Sequence, residues 1–146
     1  MLPRYYRFRV VNSTDQTLTF DNDAKIEIKI IPWKFVSGAV AQGTEISDTA
    51  DLLTSGETLT ANSETEGAVI NNSVNQHIGF TGTFYGKADV TSTDGTLDLY
   101  LEGSVDSSRW PSDLADFDIV TDMILIAKLT LSTDAVDEDR AIDIEF

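Results

Sequence analysis

The 146-residue chain contains no cysteine. Thiol nucleophiles, cysteine-ligated zinc and disulfide framing are therefore excluded together, and the composition is compatible with synthesis in a cytoplasm. Histidine is nearly missing as well. His77 stands alone ahead of an alternating strand, with no nucleophile or orienting carboxylate in its local sequence to make a catalytic group of it. Basic side chains are few, 10 Lys and Arg against 25 Asp and Glu, a formal net charge of −15. Such a balance argues against general nucleic-acid binding and against adhesion to anionic lipid. The nine glycines are scattered and form neither a Walker nor a dinucleotide pattern. Long apolar runs are absent: the longest, Met123 to Ala127, is far short of the ~20 residues that cross a bilayer. The opening residues alternate charge with aromatics, so no signal peptide is expected.

What is present is a period of two. Tyr6, Phe8 and Val10 alternate with Arg7, Arg9 and Val11, and the turn formers Asn12 to Gln16 then lead to Thr17–Phe20, which predicts a first hairpin. A long strand is expected from Ala24 to Val36, with Ile26, Ile28 and Ile30 on one side. After Pro32 the large apolar residues move to odd positions, Trp33 and Phe35, which predicts a bulge or a crossing between sheets at the proline and a core position for Trp33. Residues 37–76 are polar and predict a long irregular excursion, with a helical turn over Ile46–Leu53 capped by Ser47 or Asp48. Order returns with Ile78, Phe80 and Phe84 sharing a face with Gly82 and Gly86. Thr93-Asp94-Gly95 reads as a hairpin turn. Leu97, Leu99 and Leu101 then point inward, with Asp98, Tyr100 and Glu102 outward. Met123–Leu131 reads as a mostly buried strand, and Ile142, Ile144 and Phe146 close the pattern. The expected architecture is all-β: one antiparallel β-sandwich or jelly-roll-like domain over residues 1–146, with about seven to eight strands.

Charge is unevenly placed. Residues 1–34 hold six basic and four acidic groups, a net +2, which leaves −17 for the remainder. The basic residues either cover the outer face of two strands or dock on an acidic surface, and Tyr5, Arg7 and Arg9 are the candidates for such contact. Arg109 and Trp110, in the loop Ser108-Arg109-Trp110-Pro111-Ser112, are the other candidates. A loop tryptophan plugs its own core, anchors an interface, where Trp and Arg are over-represented, or stacks on a sugar. Acidic pairs abound, yet 25 carboxylates in one chain produce close pairs by chance, and no enzyme is expected. No cofactor is required. Calcium is the one ion with support, from oxygen-rich turns at Asp21-Asn22-Asp23, at Asp113, Asp116 and Asp118, and at Asp134, Asp137, Glu138 and Asp139.

Four segments carry a resemblance. Ile30-Ile31-Pro32-Trp33-Lys34-Phe35, Gly79-Phe80-Thr81-Gly82-Thr83-Phe84-Tyr85, Leu97-Asp98-Leu99-Tyr100-Leu101-Glu102 leading into Ser108-Arg109-Trp110-Pro111, and Arg140 to Phe146 together resemble small virion proteins of tailed phages. The resemblance implies a non-enzymatic particle component located in the virion and made in the host cytoplasm. The foremost role is a capsid decoration or cement protein that binds the major capsid protein or other virion subunits, with homo-oligomers in the particle. It brings no catalytic residues. A head–tail connector or tail subunit is the alternative within that class; outside it stands a carbohydrate-binding β-sandwich module, which would expose Trp110 and Tyr100 in one groove.

Overall fold

The computed structural model describes residues 1–20, 25–47, 52–53, 56–87, 95–114, 122–131 and 140–146. The long strands are β1 (Tyr5–Thr14), β3 (Lys25–Val36), β9 (Gly79–Lys87), β10 (Gly95–Ser104), β11 (Ile124–Leu131) and β12 (Arg140–Glu145). Between them run the short strands β2 (Leu18–Phe20), β4 (Ala39–Gln42), β5 (Ile46–Ser47), β6 (Glu57–Leu59), β7 (Glu64–Glu66) and β8 (Ile70–Asn71). Strands are thus more numerous than the periodicity suggests. Sheet 1 has the order β11-β10-β1-β7 with β8 also on β1; sheet 2 has the order β12-β9-β3-β4 with β5 also on β3; β2 and β6 form a separate ribbon.

The protein is an antiparallel β-sandwich, and its core follows from the alternation. Tyr6, Phe8 and Val10 of β1 and Leu97, Leu99 and Leu101 of β10 face Ile26, Ile28 and Ile30 of β3 and Phe80 and Phe84 of β9, all of them buried. Phe8 and Phe80 meet edge to face across the two layers, 5.5 Å between centroids. The glycines among the aromatics make the close packing of β9 on β3 feasible: a Cβ on Gly82 would stand 2.0 Å from the Lys29 carbonyl oxygen.

Several local expectations give way to long-range pairing. Residues 6–20 do not form a hairpin, because β1 pairs with β10 and β2 with β6. Asn12 explains why: its side-chain amide donates to the Gln16 and Leu59 carbonyls at 2.8 Å each, turning the chain toward β6. Nor do β9 and β10 pair across Thr93-Asp94-Gly95, since they lie in different sheets. No bulge occurs at Pro32. The β3–β9 register runs unbroken from Lys25↔Lys87 to Trp33↔Gly79, so the odd-numbered Trp33 and Phe35 lie on the outer face and Trp33 is half-buried outside the core. Pro32 accepts from the Gly43 amide (2.7 Å), and its missing donor falls just beyond Trp33↔Gln42, the last ladder pair of β3 with β4.

The 37–76 stretch edges both sheets through β4, β5, β7 and β8. The helical turn expected over 46–53 is absent from its described residues: Ile46 and Ser47 pair with β3, and Leu53 bridges Ile26. Strand β11 is an edge strand, with Ile124 and Leu125 exposed in a segment expected to be mostly buried.

Candidate functional site

Odd-numbered side chains of β1 and even-numbered ones of β10 share the outer face of sheet 1, because Arg7 pairs with Glu102 and Arg9 with Tyr100. That face is covered. Residues 105–114 fold back over it, with the 3-10 turn Pro111–Asp113 at its end. The Trp110 amide donates to the Asp113 carboxylate (3.0 Å), and the Ser104 hydroxyl donates to the Arg109 carbonyl (2.6 Å). Trp110 is only 7 % exposed, its ring lying 4.4 Å from the Arg7 guanidinium carbon.

Beneath this flap, one carboxylate organises two arginines. Glu102 is fully buried. Its Oε2 accepts from Arg7 Nε (2.7 Å) and Arg9 Nε (3.1 Å), and its Oε1 accepts from the Ser112 amide (2.8 Å). Arg7 Nη1 reaches Glu66 (2.9 Å) and Arg7 Nη2 donates to the Ser112 hydroxyl (3.0 Å). Arg9 Nη1 pairs with Glu64, and its Nη2 contacts Glu66 (2.6 Å) and the Ser112 hydroxyl (2.9 Å). Every guanidinium nitrogen of both residues has an internal acceptor. Burial pushes the Glu102 carboxyl up, but contacts from Ser112 and Arg7 outweigh that and hold it below the usual glutamate range.

Of the sequence candidates, Arg7, Arg9 and Trp110 are therefore brought together as a closed cluster. Tyr5 is half-buried with the Arg4 guanidinium 5.8 Å from its ring, and Arg109 is exposed. A partner reaches Arg7 or Arg9 only by displacing an internal acceptor. Tyr100 is likewise buried. Sequence reasoning missed Glu102, Glu64, Glu66 and Ser112; the outward parity shared by Arg7 and Glu102 was the one usable signal.

The outer face of sheet 2 holds a second, smaller charge group in which Glu27 pairs with Lys25 and Lys29. Burial raises the Glu27 carboxyl and the hydrogen bonds from the two lysines lower it more, for a net depression. The His77 amide donates to the Asn72 side chain (2.8 Å), and its ring packs so close to Gly43 that a Cβ there would sit 2.8 Å from Nε2. Burial first and Lys34 second push the imidazole below its usual value. Among the described residues no group of three or more His, Asp or Glu side chains is placed to hold a metal. Of the calcium candidates only Asp113 is described, as the partner of the Trp110 amide; Asp21, Asn22, Asp23, Asp116, Asp118, Asp134, Asp137, Glu138 and Asp139 lie outside the described residues.

An exposed apolar cluster lies elsewhere. Where β3 and β4 run past the core they form a ribbon closed by Ser37 and Gly38, whose φ values of 52° and 83° are those of a tight hairpin turn. Phe35, Val36 and Val40 are 59 %, 50 % and 61 % exposed on it. Phe35 is braced edge to face by Trp33 at 5.8 Å, and Lys34 is tied to the Asn75 carbonyl (2.7 Å). No family model, curated protein or solved structure matches the chain.

Proposed function

We propose that this chain is a non-enzymatic structural component of a tailed-phage particle, acting as a capsid decoration or cement protein that binds the major capsid protein. The observation that carries the assembly reading is the apolar β3–β4 ribbon, displayed by a sandwich whose buried arginines are satisfied internally. Exposed, ordered apolar side chains on an acidic module are a docking element, and repetition on a shell multiplies modest contacts by avidity. The phage assignment is supported by the sequence resemblance. The carbohydrate-binding reading needs an exposed ring at Trp110 or Tyr100, and both are buried.

A projecting ribbon also suits a head–tail connector or tail subunit, so copy number separates the two positions. A mass-spectrometric inventory of purified particles is expected to count this chain in near parity with the major capsid protein. A small, ring-sized copy number would move it to the neck or tail, and absence from particles would reject the virion role.

A further inference from the structure

We infer that the free edge of β4 is a self-association site, joining sheet 2 of two copies of this chain by antiparallel β4–β4 pairing about a two-fold axis. Strand β4 ends the order of sheet 2 and, among the described residues, pairs only with β3. Its pairs are Val36↔Ala39, Phe35↔Val40, Lys34↔Ala41 and Trp33↔Gln42. The tight turn makes Val36↔Ala39 a hydrogen-bonded pair, and the Gly43 amide donating to Pro32 fixes the same phase four positions further on. In an antiparallel ladder such pairs alternate with ones whose backbone groups point away. The N–H and C=O of Val40 and of Gln42 therefore point outward, along the unpaired edge.

These outward groups are self-complementary. A two-fold placed at Ala41 sets Val40 against Gln42 of the partner subunit, and the symmetry repeats the pairing on the other side. All the outward donors and acceptors of both strands are then satisfied, in a closed isologous contact. The side chains agree. Natural edge strands are guarded by Lys, Pro, bulges or inward charge, yet residues 35–44 carry no charge in a chain where 24 % of residues are charged. Two copies at −15 each repel over most approaches; this edge brings together Ala, Val and Gln, with Phe35 and Lys34 on the strand behind, the latter paired with Ala41 and tied to the Asn75 carbonyl. Pairing extends the exposed Phe35–Val40 cluster of one copy into that of the other.

The inference rests on the assembly reading only for the premise that the chain meets other copies of itself, and the particle inventory and the following measurement fail independently. The purified full chain is examined by sedimentation over a wide concentration range at physiological salt, with hydrogen exchange read per residue in parallel. The expected result is a doubling of mass with concentration, together with a rise in protection at the Val40 and Gln42 amides. The Ala39 and Ala41 amides, already bonded to β3, stay protected throughout. Val40→Lys sets a cation beside the axis in each copy and is expected to hold the chain monomeric with an unchanged circular-dichroism spectrum. Val40→Thr keeps the strand uncharged and is expected to associate as the parent does. A single-chain mass at every concentration would overturn the proposal. So would a dimer in which the Val40 and Gln42 amides exchange freely, or V40K associating as strongly as the parent.

Discussion

Glu102 shows how a single buried carboxylate sets the behaviour of a whole sheet face. It is the shared acceptor of Arg7 and Arg9 and the anchor of Ser112 in the flap, so Glu102→Gln leaves two buried guanidinium groups partly uncompensated. Removing one partner of a buried pair costs about 3–5 kcal/mol, and urea unfolding of E102Q is expected to show a loss in that range. The pH dependence follows from the same group. Its folded value is depressed, so its contribution is complete above the unfolded glutamate value of about 4.3 and is lost as pH falls through the lower folded value. Stability of the parent is expected to decline on that acidic side, and E102Q to decline less steeply over the same window. Trp110→Ala removes the cover over Arg7 and is expected to cost about 3 kcal/mol, read in the same unfolding experiment. The alternation of Arg7, Arg9 and Glu102 with core residues was legible in the sequence. Their burial was not, because Arg7 and Arg9 are covered by residues 105–114 and by Glu64 and Glu66, remote from them in the chain.

Strand existence could be read locally, whereas strand partnership could not. β1, β3, β10 and β12 appear close to where the period of two puts them, since one buried face per strand leaves a direct imprint on side-chain type. Partner choice depends on which apolar faces fit, so neither β1 and β2 nor β9 and β10 pair with each other. The short strands of the 37–76 stretch are two to four residues long, too brief to show a period. Two substitutions test the elements that were resolved. Gly82→Ala drives a methyl group into the Lys29 carbonyl, and thermal unfolding is expected to show a loss of about 3 kcal/mol or more, the upper end for overpacking. Ser37→Asn gives the turn the Asn-Gly pair that tolerates φ > 0 at both positions. A gain of about 0.5 kcal/mol is expected, with the ribbon amides Ala39 and Ala41 exchanging more slowly.

At the scale of the whole molecule, a net charge of −15 on 146 residues opposes compaction, while the clustered arginines and the Glu27 lysines offset it only locally. Raising salt shortens the screening length to about 8 Å at physiological ionic strength. Because the Glu102 cluster is buried and poorly screened, the net effect is a rise in melting temperature from low to physiological salt, measurable by calorimetry. The order of pairing has a further consequence for biosynthesis. Tyr5 at the start of β1 bonds opposite Ser104, so the central strand of sheet 1 emerges from the ribosome long before its principal partner is translated. Contacts of such separation close slowly. The nascent chain therefore carries β1, rich in aromatic and cationic side chains, without its mate until β10 has been made, and chaperone occupancy during translation should concentrate on that interval.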